Sequence, residues 1–522
     1  MRKIDVFDTT LRDGAQAQGI SFSVEDKLKI LKGLDDLGVS YIEAGNPGSN
    51  MKEMELFEKA RNIRLENAQL VAFGSTRRAD IRPEDDLNLK ALLQSDAKII
   101  SLFGKCWDYH VSAVLKTTNL ENFKMIESSI DYLVKKGRTV FFDAEHFFDG
   151  YTANPGFAMK CLEIAADAGA SVLCLCDTNG GTFPDTVSRL TAEVVNRFRN
   201  KIGIHCHDDG GMAVANTIMA LKAGAAHFQA TINGYGERCG NADMCTIIPN
   251  LQLKLGYQCI LGDKLQELTA FSKNVSEISN IRQDKRAPFV GRYAFAHKSG
   301  MHIDAVDKVT DSFEHIDPEL VGNTRRFLMS EFSGRSNLIH KIQKVDPGIQ
   351  KNDTVVQKIA ERLKELEFEG YQFEGAEGSF ELEIKKILGT YKPSFALTEF
   401  KVMVDEPSVD GVGSAALIKI KVNGEEDITA DEGQGPINAL DKAIRKALTR
   451  FYPEITQMKL TDFKVRVIDS AAATAAKVRV LIESTDGTET WTTIGVSSDV
   501  ILASWKALVD SIEYKLSKSR TD

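Results

Sequence analysis

The sequence predicts an α/β protein in three parts: a (β/α)8 TIM barrel, a helical linker or lid region, and a smaller α+β C-terminal domain. Three observations predict it. Up to about residue 265, short apolar runs alternate with longer amphipathic stretches about eight times, at roughly 30-residue spacing. The polar groups able to do chemistry fall at the C-terminal ends of those apolar runs, where a barrel keeps its active site. Beyond Pro393 a strands-then-helix unit occurs twice. A doubly wound sheet would need a Gly-rich phosphate turn after an early strand, and none is present.

Taken in order, strand-like runs lie at Ile4–Phe7, Tyr41–Glu43, Leu70–Phe73, Ile99–Phe103, Val140–Phe142, Val172–Cys176, Ile202–His205 and His227–Thr231. Between them stand helical patterns such as Val24–Leu37, with Ser23 as N-cap and Gly38 as its stop, and Asn119–Lys136, closed by Gly137. The strand rhythm then ceases, and helical segments including Val355–Leu366 dominate to about residue 385. In the tail, Phe400–Val422 leads through Glu432–Gly435 into the helix Ile437–Leu448. Phe463–Ile482 leads in the same way through Trp491–Val496 into the helix Val500–Ile512. The expected domains are therefore 1–270, 271–385 and 386–522. A duplicated unit of this kind either binds a ligand at its internal interface or serves dimerisation, and pattern alone leaves the two even.

The 522 residues are 43% hydrophobic and 27% charged, with a formal net charge of −9, the composition of a soluble globular chain. That balance excludes nucleic acid and anionic membrane surfaces as partners, since both need concentrated positive charge. No apolar run approaches a membrane span, and the N-terminus enters a strand-like segment directly, so the expected location is cytoplasmic. The 8 cysteines are scattered, and the Cys174/Cys176 pair reads as buried strand rather than zinc site.

The rim positions are Asp8, Arg12 and Asp13 after the first strand, Glu43 at the second, and Ser75 to Arg78 after the third. Glu145 and His146 follow the fifth, Asp177 and Thr178 the sixth, His205 and His207 the seventh, and Asn233 and Asn241 the eighth. His205 and His207 are two apart on a strand, so both imidazoles point one way and can face one metal. Two such histidines can equally be satisfied core or rim residues. Asp13 shifts the balance, because strands one, seven and eight are neighbours in a closed barrel. Asn241 can add an amide oxygen. The mixed O/N set without thiolate suits Mg²⁺, Mn²⁺ or Zn²⁺. Arg12 offers a fixed cation beside that metal, in a tight polar turn with Gly14 and Gln16 where a small ligand fits. Glu145 is placed to act as a base or to orient one.

DTTLRDGAQ (Asp8–Gln16), IHCHDD (Ile204–Asp209) and NGYGERCGNAD (Asn233–Asp243) resemble the 2-isopropylmalate, homocitrate and citramalate synthase family of metal-dependent acyltransferases. The resemblance continues through AFGSTRR (Ala72–Arg78), DAEHFFDG (Asp143–Gly150), HKSGMHIDAV (His297–Val306) and the helix GPINALDKAIRKAL (Gly435–Leu448), so it spans nearly the whole chain. It implies a TIM barrel that condenses acetyl-CoA with a small 2-oxo acid, and PGSN (Pro47–Asn50) with AFGSTRR and DAEHFFDG looks most like the pyruvate-using, citramalate synthase branch. The acceptor 2-oxoisovalerate is the nearest alternative. A metal-dependent acyl-CoA lyase and a non-catalytic metabolite sensor stand further off. The resemblance carries over Asp13, His205, His207 and Asn241 as ligands of a divalent metal, Arg12 at the substrate carbonyl, Thr178 at its carboxylate and Glu145 in acid–base catalysis. It also carries over His302, with Asp304 as its partner, reaching the site of a neighbouring subunit; that implies at least a homodimer. The tail resembles the family's regulatory domain and implies feedback by isoleucine or leucine. One departure stands out. Phe313 occupies a position where the family often has tyrosine, and phenylalanine donates no hydrogen bond.

Overall fold

The computed structural model describes residues 2–327, 335–350, 353–373, 375–409, 412–468 and 476–519. They form two compact units: Met1–Phe295 with Glu314–Arg325, and Ala296–Phe313 with Arg326–Asp522.

The first unit is a closed parallel barrel of eight strands in sequence order. The strands are β1 (Asp5–Asp8), β2 (Tyr41–Gly45), β3 (Gln69–Ser75), β4 (Ile99–Lys105), β5 (Thr139–Glu145), β6 (Val172–Asp177), β7 (Lys201–Cys206) and β8 (His227–Ala230). Closure comes from β1 pairing with β8, where Asp5 faces His227 and Asp8 faces Ala230 in register. Most of these strands read as continuous apolar runs because both faces are buried: one inside the barrel, one against the helices. Phe7, Val71, Ile99, Phe141 and Val172 fill the interior, with Tyr41 against them. Their neighbours of opposite parity, among them Val6, Ile42, Ile100, Phe142, Leu173 and Ile204, pack outward in the strand–helix layer. This two-residue period decides which polar groups can reach the barrel mouth.

Local signals hold where caps exist. The helix Val24–Leu37 starts in a capping box, with Ser23 accepting from Asp26 N–H and Asp26 bonding back to Ser23, and it stops at Gly38 with φ 89°. The helix Asn119–Lys135 ends before Gly137, whose φ is 77°. Structure extends most of the expected strands by one to three residues at their C-terminal ends, and that is where β4 gains Lys105 and β5 gains Glu145.

The second unit begins with the two-residue parallel pair β9 (Ala296–His297) and β10 (Arg326–Phe327), with the helix Gly300–Lys308 between them. It continues through the helices Arg335–Val345, Thr354–Glu369 and Glu377–Ile387. Two three-stranded antiparallel sheets follow: β11 (Ala396–Val409), β12 (Val412–Val422) and β13 (Glu425–Gly433), then β14 (Lys459–Val467), β15 (Val478–Thr485) and β16 (Thr490–Ser497). Each sheet is followed by a helix, Pro436–Thr449 and Val500–Ser519, so the duplicated unit is three strands and a helix. Trp491–Val496, expected as a connector, is strand β16. Every one of its six residues is buried, so it offers no alternation to read. Among the described residues no helix is long and apolar enough to cross a membrane.

Candidate active site

Three loops and strand ends bring the chelating atoms together. Asp13 closes the turn after β1, its N–H bonded to Thr9 C=O at 2.9 Å, just ahead of the 3-10 turn Gly14–Gln16. His205 lies on the inward face of β7, and His207 follows at its end, bridged to Asn241 as an antiparallel pair. Asp13 Oδ2 lies 3.4 Å from His205 Nε2 and 3.8 Å from His207 Nε2. The two Nε2 atoms are 3.3 Å apart. The Asn241 amide nitrogen donates to Tyr235 C=O at 3.1 Å, and its Oδ1, like Asp13 Oδ2, is buried without a hydrogen-bond partner among the described residues. Gly236 makes this packing possible, since a Cβ there would stand 2.3 Å from Asn241 Nδ2.

The electrostatics suit a cation. Burial, then the neighbouring His207, pushes His205 down to about 3, and burial likewise lowers His207. Both rings are therefore neutral near pH 7 and present lone pairs. Burial alone would raise Asp13, but Arg12, the two histidines and Asn241 outweigh it and hold the carboxylate below its ordinary range. Two neutral imidazoles, one carboxylate and an amide oxygen, with orphaned buried acceptors among them, fit a divalent metal ion.

Arg12 is fixed from three sides. Its Nε donates to Glu43 Oε2 at 2.6 Å, its Nη1 meets Asp13 at 3.1 Å, and its guanidinium lies 3.8 Å over the Phe73 ring. Glu43 Oε2 also accepts from Thr9 Oγ1 at 2.6 Å. Burial raises Glu43 to about 7 despite Arg12. Glu145, at the inward end of β5, is ion-paired with Lys105 on the adjacent end of β4. Thr178 Oγ1 accepts from the His146 N–H at 2.9 Å, across the mouth between β6 and β5. Gln16 is exposed at the end of its turn.

Other expected rim residues serve the scaffold. Asp8 has the parity of the outward face of β1 and accepts from Thr10 N–H and Oγ1 at 2.9 and 2.7 Å. Asp177 caps its own loop through Thr182. Asn233 ties the β8 loop to Ser272 and Ser276, and Arg77 pairs with Glu121. His302 and Asp304 belong to the second unit, on the helix Gly300–Lys308, where His302 is exposed and stacks on Phe313 with ring centroids 4.0 Å apart. Phe313 thus gives the imidazole a flat apolar support. Sequence reading missed Lys105, Phe73 and Phe103. The fourth strand was ended at Phe103, although Ile99, Ser101, Phe103 and Lys105 continue one inward-facing alternation.

Residues 3–275 match the HMGL-like family, 289–370 the homocitrate synthase post-HMGL domain-like family, and 374–516 the LeuA allosteric (dimerisation) domain. A closed barrel with this chelating rim, followed by those two modules, places the chain in the HMGL-like class of barrel proteins. An (R)-citramalate synthase of Aquifex aeolicus is 48% identical over 522 residues, covering 100% of this chain and 99% of its own. One from Geobacter sulfurreducens is 47% identical, covering 99% and 98%. A probable 2-isopropylmalate synthase of Methanopyrus kandleri is 31% identical, covering 100% and 99%. The chain belongs to the (R)-citramalate synthase family.

Proposed function

We propose that the chain condenses acetyl-CoA with pyruvate and water to give (R)-citramalate and CoA. The observation that carries this reading is the convergence of Asp13, His205 and His207 beside a clamped Arg12, within a chain 48% identical to an (R)-citramalate synthase along its whole length. Asp13, His205, His207 and Asn241 would hold a divalent metal, Mg²⁺, Mn²⁺ or Zn²⁺. When bound, the ion supplies Lewis-acid polarisation of the acceptor ketone.

The chain's own groups do the rest. Arg12, with Nε on Glu43 and Nη1 on Asp13, is held in one orientation and directs its remaining edge at the ketone oxygen, where negative charge develops. Thr178 binds the 2-oxo acid carboxylate and Gln16 borders it. Glu145 acts in acid–base catalysis, taking a proton from the acetyl methyl group directly or through His302. That proton is weakly acidic, so orientation of the two substrates carries much of the barrier. His302, exposed on its helix and backed by Phe313, serves the site of a second copy, with Asp304 beside it. The match of 374–516 to an allosteric (dimerisation) domain supports a homodimer or higher and an allosteric role; isoleucine or leucine is the inhibitor that this reading of the activity implies. The 8 free cysteines, seven of them buried, suit a reducing cytoplasm.

The test follows CoA release with a thiol reagent, supplying acetyl-CoA, Mg²⁺ or Mn²⁺, and in turn pyruvate, 2-oxobutyrate, 2-oxoisovalerate and 2-oxoglutarate. Preference for pyruvate, abolished by a chelator and by His207→Ala, is the expected result. Preference for 2-oxoisovalerate would move the chain to leucine biosynthesis. Turnover that survives chelation would sink the metal role.

A further inference from the structure

Two cations at the barrel mouth are joined through an aromatic pair. The Arg12 guanidinium lies 3.8 Å over Phe73, and Phe73 stacks on Phe103 with centroids 5.3 Å apart and an interplanar angle of 17°. Lys105 Nζ stands 5.7 Å from the centroid of Phe103. All three contacts fall within the range in which a cation or a second ring is attracted to an aromatic face. Lys105 and Glu145 are register partners on neighbouring parallel strands, both on the inward face, and their side chains are only 15% and 23% exposed. Partial burial makes such a pair less screened than a solvated surface contact.

The ends of this stack are therefore different tools. Arg12, clamped by Glu43, meets the acceptor ketone; Lys105 holds the carboxylate proposed to handle the acetyl proton. We propose that Lys105 is a positioning residue that acts through Glu145, with the Phe73–Phe103 stack as the spacer that indexes Glu145 to Arg12. This rests on the acid–base reading of Glu145. An ammonium on a flexible stem would orient a carboxylate poorly by itself. Lys105 is constrained because its ammonium lies by the Phe103 ring as well as Glu145, and that ring in turn stacks on Phe73.

The experiment uses the full-length, Mn²⁺-loaded protein with acetyl-CoA and pyruvate, comparing Lys105→Met, Lys105→Gln, Lys105→Arg, Glu145→Gln and the double variant Lys105→Met/Glu145→Gln. Misplacing a reacting group costs up to about 100-fold, so Lys105→Met and Lys105→Gln should lose about that much kcat. The KM for pyruvate should move less than about threefold, because an effect confined to the transition state leaves ground-state binding alone. Lys105→Arg should recover to within about tenfold, since it restores the cation. Adding Lys105→Met to Glu145→Gln should cost nothing further, because residues acting as a unit are non-additive. A Lys105→Met loss that persists undiminished in the Glu145→Gln background overturns the inference, as does near-normal kcat in both neutral variants. If Glu145→Gln itself keeps full activity, it is the acid–base reading that fails.

Discussion

At His205 and His207, burial prepares the metal site before any ion arrives. Desolvation keeps each ring neutral, so with its one N–H on Nδ1 each can turn an Nε2 lone pair toward the other, 3.3 Å away. A cation between them and Asp13 Oδ2 resolves that apposition. Asn241 is the weakest member of the set because an amide oxygen is a poorer donor than an imidazole nitrogen or a carboxylate, and its place depends on the bare Cα of Gly236. Gly236→Ala would bring a methyl group to 2.3 Å from Asn241 Nδ2 and force that side chain to turn away. Metal affinity should then fall about tenfold or more, the scale seen when a group that orients a ligand is removed. Unchanged affinity in a calorimetric Mn²⁺ titration would show that Asn241 is not a ligand. The HxH pair and Asp13 were legible in the sequence because strand period and barrel closure place them. Lys105 was not, because the strand was ended two residues too early.

The strands work at both ends. Their C-terminal ends carry the proposed site, while their N-terminal ends hold an aromatic layer with one anomaly, His227, the first residue of β8. It is fully buried, with ring centroids 5.3 Å from Phe7, 5.9 Å from Tyr41 and 5.5 Å from Phe141, and neither ring nitrogen has a hydrogen-bond partner among the described residues. Burial pushes it from 6.5 down to about 4, with Asp5 opposing and Lys201 adding to the shift. Between those values the unfolded chain binds a proton that the folded barrel refuses. Its contribution is therefore complete above pH 6.5 and is lost as pH falls through 4, to the extent of about 3 kcal/mol. His227→Phe, which keeps an aromatic in that layer, should flatten the denaturant-midpoint profile across this window relative to wild type. An unchanged slope would assign the acid sensitivity to other groups. Element type is readable where one face meets solvent, where a cap marks an end, or where burial on both faces leaves a continuous apolar run. It fails at β16, where Thr492, Thr493 and Gly495 interrupt any apolar run and burial of Trp491–Val496 leaves no period, so that position in the duplicated unit is the better guide.

Over the whole chain, cores rather than sequence breaks decide what can be cut. Among the described residues the barrel core draws on nothing beyond Val321. The helical segment differs: Leu338, Ile342, Ile359, Leu363, Phe373, Phe380 and Ile384 share one apolar cluster with Ile494 and Val496 of β16. Further contacts tie the same segment to the tail, as Ser379 Oγ donates to Asp510 at 2.6 Å and Ile494 N–H donates to Ser379 Oγ at 2.9 Å. A chain ended at residue 389 would strip two large aliphatic side chains and a buried hydrogen-bond network from that cluster, a loss of several kcal/mol by the usual cost of emptied core positions. The amides of Thr354–Glu369 and Glu377–Ile387 should then exchange rapidly and the chain should bind a hydrophobic dye, while the barrel strands keep their protection. Loss of isoleucine or leucine inhibition in that truncated chain would therefore not locate the inhibitor, because the helical segment has come apart as well. Substitutions on the exposed face of the C-terminal domain, with helical-segment protection unchanged, make the decisive comparison. If the truncated chain instead protects its helical amides as well as the full chain does, the shared cluster contributes little, and truncation becomes a clean test of allosteric control.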